Sequence, residues 1–142
     1  MCTILRGGKP IGEFELVKRI ADKVGKDNLV IKVHPRDTRS VYLNHGLKID
    51  MNSSIPWEVV FLCGNFDGKI LLTINSTSVL SSCLLSDDEI SGSYLFKLCD
   101  ISKNESAKKN AKTITELINS AYLKGKLSRL SIPNNIDEIV VD

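Results

Sequence analysis

Short apolar runs alternate with amphipathic segments roughly every twenty residues, and that alternation constrains this chain more than any other feature of its sequence. Apolar positions spaced by three and four mark a helix with one buried face, whereas a brief continuous apolar run between turn residues marks a strand buried on both faces. Ile11, Phe14, Val17, Ile20, Ala21 and Val24 fall at helical spacing, with Gly25 as the stop. A strand-like run follows from Leu29 to Val33. Asp37 or Thr38 then caps a short helix, Gly46 takes the left-handed position that ends it, and Leu47 to Asp50 forms a brief strand. Pro56 opens the next helix, where its missing N–H costs nothing, and Trp57 to Leu62 continue it up to a Gly64–Gly68 turn. Lys69 to Ile74 reads as the most buried strand, Thr77 to Leu85 as a helix, Tyr94 to Leu98 as a strand. A long helix runs from Ser106 to Lys124 on a stripe of Ile114, Leu117, Ile118 and Ala121. Strand alternating with helix predicts an α/β fold: one doubly wound parallel sheet with flanking helices and right-handed crossovers.

With 142 residues the chain has material for one core. The expected domain covers residues 1–126, and 127–142, with Pro133-Asn134-Asn135, reads as a connecting tail. A net charge of +2 spread over scattered lysines gives no electrostatic footprint for nucleic acid. Cys2, Cys63, Cys83 and Cys99 form no CxxC pair, which fits reduced thiols in the cytoplasm. No apolar run reaches the roughly 18 residues of a membrane span, and the start MCTILRGGKP lacks the apolar middle of a signal peptide. The expected location is the cytoplasm, with at most a peripheral contact at the inner face of the cell membrane.

In open parallel sheets, ligands bind beyond the carboxyl ends of the strands, so the residues after each strand carry the functional information. His34 follows one strand, Ser53 and Ser54 another, and Asn75-Ser76-Thr77-Ser78 follows a third and opens a helix. A helix start offers free N–H groups and a positive dipole end, and serine hydroxyls add donors for a phosphate. The same residues also make an ordinary helix cap. His34, held in extended backbone by Pro35, can give a hydrogen bond or proton to a departing phosphate, or play a structural part. Glu58, in the first turn after Pro56, suits either the helix dipole or the hydroxyls of a ribose. Lys32 and Arg36 lie where they can neutralise a phosphate or simply meet water, as do Arg39 and its neighbour Asp37. His45 reads as a surface residue near a helix end. Asp87-Asp88-Glu89 reads as a solvated loop rather than a metal site, since consecutive carboxylates seldom converge.

The string VIKVHPRD, the segment SSIPWEVV and the strand-turn ILLTINSTS, in this order, resemble the donor-binding domain of bacterial sialyltransferases with the GT-B fold, nearest to glycosyltransferase family 52. Glu58 comes 24 positions after His34, and Ser76 comes 18 after Glu58. The resemblance covers about residues 8 to 125 and implies a Rossmann-like domain, one half of the GT-B fold, that binds CMP-sialic acid without a metal or other cofactor. It implies that His34, with Pro35, contacts the phosphate and helps the nucleotide leave, that Lys32 lies near the nucleotide, and that Glu58 holds the ribose. Ser76 and Thr77, with Ser78 close by, would bind the phosphate.

The resemblance also implies an inverting transfer of sialic acid to a surface glycan, of a lipooligosaccharide or a capsule. A base deprotonates the acceptor hydroxyl while the phosphate departs toward His34. In the family that base sits in an acidic-acidic-glycine motif of an N-terminal acceptor domain, and the motif is missing here. Phe66-Asp67-Gly68 comes too late, and Asp87-Asp88-Glu89 follows the serine motif rather than preceding the histidine. The chain is therefore expected to be the donor half of an enzyme whose acceptor domain lies elsewhere. Two alternatives stay open: a transferase of polyol phosphates from CDP-linked donors, and a truncated non-catalytic nucleotide-binding module.

Overall fold

A computed structural model of the chain describes residues 2–5, 12–33, 41–50, 54–85, 90–120, 125 and 127–139. Among the described residues, six parallel strands make one sheet: β1 (Cys2–Leu5), β2 (Leu29–Lys32), β3 (Lys48–Ile49), β4 (Ile70–Thr73), β5 (Ser91–Tyr94) and β6 (Leu130–Ser131), in the order β3-β2-β1-β4-β5-β6. Between them lie α1 (Glu13–Val24), α2 (Val41–Asn44), α3 (Trp57–Cys63), α4 (Ser78–Leu85) and α5 (Glu105–Ile118). This is the doubly wound, Rossmann-like order. The chain winds outward from β1 to β3, returns to β4 beside β1, and winds outward the other way to β6. Right-handed crossovers put the helices of the two halves on opposite faces. In keeping with that, Phe14 of α1 packs on Tyr42 of α2 (ring centroids 5.9 Å apart), and Trp57 of α3 bonds to Ser82 of α4.

The core is aliphatic at the sheet and aromatic under α3. Leu71, Leu72, Leu29, Ile31, Ile20 and Ile114 are fully buried, and Trp57, Phe61 and Phe66 stack with centroids 5.2 to 6.1 Å apart. At roughly 25 cal/mol per Å² of apolar surface removed from water, such burial is the main force holding helices to sheet. α1 forms where its apolar stripe predicts. Gly46 has φ 69°, the left-handed position required just beyond α2.

Three segments differ from the sequence expectation. Cys2–Leu5 is a central strand, paired with both β2 and β4, so the strand before His34 is the second in the chain. The apolar run Tyr94–Leu98 is not a strand over its length: β5 is the small-residue stretch before it, and Phe96–Leu98 is a 3-10 turn. Residues 127–139 of the tail belong to the core. Leu130 and Ser131 add the sixth strand to β5, Leu127, Leu130, Ile136 and Ile139 are buried, and Lys23 of α1 donates to the carbonyls of Ile136, Asp137 and Ile139.

Three free thiols are Cys63, exposed, Cys99, half-buried, and Cys83, buried. Burial pushes the Cys83 thiol from 9.0 up to about 11. Its folded value lies above its unfolded value, so the stability it contributes is fully present below pH 9 and is lost as pH rises through about 11. Urea midpoints are expected to fall across that window, and Cys83→Ala is expected to flatten the decline; an unchanged slope in the variant would refute the assignment.

Candidate functional site

In this strand order the crevice lies where the winding direction reverses, at the carboxyl ends of β1 and β4. The register sets Lys32, Leu5, Thr73 and Tyr94 in one row across β2, β1, β4 and β5. Just beyond this row, the turn after β4 leads into α4.

That turn is tied down by its own hydroxyls. The Ser76 amide donates to Thr73 Oγ1 at 3.1 Å, the Ser78 amide donates to Ser76 Oγ at 3.2 Å, and the two serine hydroxyls share a hydrogen bond of 2.8 Å. Tyr94, fully buried at the end of β5, accepts from the Leu80 amide at 3.1 Å. Burial holds the Tyr94 phenol well above its ordinary pKa, with the Leu80 amide opposing and Cys83 adding a little, so it stays protonated. Ser76 and Tyr94 thus cap two first-turn amides. Those of Thr77 and Val79 have no protein acceptor among the described residues. Ser76 and Ser78 are half-buried and Thr77 is exposed. The helix start therefore works both as a cap and as an anion-facing end with amides to spare.

Glu58 is exposed in the first turn of α3. Trp57, beside it, donates from Nε1 to Ser82 Oγ at 2.7 Å, and Ser82 in turn donates to the Ser78 carbonyl at 2.8 Å. These two bonds fix the start of α3 against the first turns of α4, so Glu58 and the serine turn share one edge of the sheet. Lys32 is 7% exposed and pairs with Asp50 at 3.4 Å, so its charge is engaged within the β2–β3 side. By strand spacing it stands roughly 10 Å from Thr73. His34, Pro35, Arg36, Asp37 and Arg39 lie outside the described residues, as do Ser53 and Asp87-Asp88-Glu89.

No protein-family model matches the chain, and no curated protein matches it either.

His45 is a surface residue, its Nδ1 2.9 Å from the Val41 carbonyl and its ring edge-on to Phe14 at 4.7 Å. Asp67 lies exposed in a turn where its amide donates to Asn65 Oδ1. Two buried polar residues stand at this edge, Glu13, which the sequence argument did not name, and Asn75, which it named only as the start of the serine turn. Glu13, 4% exposed at the start of α1, accepts from the Tyr42 hydroxyl at 2.9 Å. Its signal is helical spacing, since position 13 continues the stripe of Val17 and Ile20 with a carboxylate. Asn75, 4% exposed, has an amide oxygen with no hydrogen-bond partner, while its backbone carbonyl accepts from Asn110 of α5 at 3.4 Å. Its signal is its place, the last residue before the serine turn. No group of three or more His, Cys, Asp or Glu able to hold a metal occurs among the described residues, and no helix there is long and apolar enough to cross a membrane.

Proposed function

We propose that the chain binds a nucleotide at the reversal point of its sheet and serves as the donor-binding half of a sialyltransferase-like glycosyltransferase, with CMP-sialic acid as donor. The observation that carries the nucleotide reading is the start of α4: it opens directly off β4 at the crevice, carries the Ser76, Thr77 and Ser78 hydroxyls, and leaves the Thr77 and Val79 amides without an acceptor among the described residues. Amides and hydroxyls gathered at the positive end of a helix suit phosphoryl oxygens. The narrower choice of donor rests on the sequence motifs. In that reading Ser76, Thr77 and Ser78 hold the phosphate, Glu58 takes a ribose hydroxyl, and His34, set by Pro35 after β2, assists departure of the nucleotide. Lys32, its charge paired with Asp50, lies at the same edge near the nucleotide. A glycan acceptor and an N-terminal domain carrying the base complete the reaction.

Isothermal titration of the folded chain tests it. Micromolar to millimolar binding of CMP and CMP-sialic acid is expected, with about a tenfold loss in Ser76→Ala and in His34→Ala, the size of one charge-assisted hydrogen bond. Wild-type affinity in both variants would end the site assignment. Stronger displacement of a fluorescent cytidine nucleotide by CDP-glycerol than by CMP-sialic acid would move the donor to the polyol phosphates.

A further inference from the structure

A buried polar atom without a partner loses its hydrogen bonds to water and gains none in return, so each one calls for a reason to exist. Asn75 presents such an atom in the turn that carries the proposed phosphate site: its amide oxygen makes no hydrogen bond, and the residue is 4% exposed. The backbone gains nothing from this side chain, because the turn is already closed by Thr73, Ser76 and Ser78. The neighbouring helix α5 is joined to Asn75 through the backbone carbonyl, not the amide.

We infer that Asn75 is a ligand-binding residue whose side-chain oxygen accepts a hydrogen bond from a ribose hydroxyl of the bound nucleotide. The inference rests on the proposed function and sharpens it. An ionised phosphate diester has only acceptors, so it matches the Thr77 and Val79 amides and cannot satisfy Asn75 Oδ1. The complement must be a donor close to the phosphate, and on a nucleotide that donor is a sugar hydroxyl. A ribose carries two such hydroxyls, one for Glu58 at the exposed rim and one for Asn75 in the buried turn. The ligand class so defined is a ribonucleotide rather than inorganic phosphate or a deoxynucleotide. Sites built to pair a substrate hydroxyl reject the analogue lacking it, because their own polar group is then left unpaired.

Asn75→Leu, close in size and without the amide, is the informative variant, measured by titration with CMP and with 2′,3′-dideoxy-CMP and by thermal melting. The wild type is expected to bind CMP about tenfold more tightly than Asn75→Leu does, with that gap closing for the dideoxy nucleotide, and the variant is expected to melt at or above the wild-type temperature. Asn75→Ala should show the same nucleotide pattern even where its cavity lowers the melting point. Unchanged CMP affinity in both variants, or an equal loss for the two nucleotides, would overturn the inference while leaving nucleotide binding intact. A wild type that binds no CMP would instead overturn the proposed function and this inference together.

Discussion

Gly92→Val is expected to lower the stability of the fold by about 3 kcal/mol or more, the upper range for overpacking a close-fitting core. Gly92 sits in β5 with its Cα face pressed on three neighbours: an added Cβ would lie 2.7 Å from Val79 Cγ1, 2.9 Å from Leu130 Cδ2 and 3.2 Å from the Leu71 carbonyl oxygen. Leu130 can swing away. Val79 cannot do so easily, since it is fully buried and a β-branched side chain in a helix is held to essentially one rotamer. The Leu71 oxygen is backbone in the neighbouring strand of the parallel ladder. Relief therefore requires α4 to lift or β5 to shift against β4, and either motion disturbs the turn that holds Ser76 and Asn75. Against a typical stability of about 5–15 kcal/mol, the change should appear as a large drop in urea midpoint at constant m-value and a fall in melting temperature on the order of 10 °C. A midpoint equal to that of the wild type would mean that α4 does not pack on β5 as described. Gly92→Ala should fall between the two.

The same strand explains where the sequence was readable and where it was not. The local pattern located α1 and the β2, β3, β4 and α4 segments, most clearly where it meets a stop: Val17 and Ile20 with Gly25, and the Ile70–Thr73 run with the serine turn. β5 breaks the rule that buried parallel strands are rich in Val, Ile and Leu. It reads Ser-Gly-Ser-Tyr, because Val79 and Leu130 occupy the space a larger residue at 92 would fill. The apolar residues after it, Leu95 and Phe96, are buried without being strand. β1 and β6 are set as strands by their pairing partners, which lie dozens of positions away, where no local pattern reports them. Missing β1 hid the reversal point, and with it the reason the turn after β4 matters more than those after β2 and β3. The candidate site was legible as a list of polar residues after strands. What the sequence could not supply was their state: Lys32 engaged with Asp50, Tyr94 capping Leu80, Asn75 buried and unpaired.

The largest effect on ligand binding is expected from Ser76→Asp, which should weaken CMP about a hundredfold while leaving the fold as stable as before or slightly more so. Aspartate is as good a cap as serine, so its carboxylate can take over the Ser78 amide that Ser76 Oγ now accepts from at 3.2 Å. A negative charge there also meets the positive end of α4, worth about 0.3–1 kcal/mol. The phosphate of a nucleotide would face that same charge. Two like charges about 4 Å apart at an effective dielectric of about 20 repel by some 4 kcal/mol; solvent at this half-buried position reduces the figure, and about 2.7 kcal/mol already corresponds to a hundredfold. The repulsion has two signatures that simple damage to the turn lacks. Cytidine, which carries no phosphate, should bind the variant as it binds the wild type, and added salt should narrow the CMP gap by screening. Equal losses for CMP and cytidine would show a deformed turn, and undiminished CMP binding would show that no phosphate rests at the start of α4. The second result would leave the serine turn as a helix cap and nothing more, and would move any nucleotide to another part of the edge.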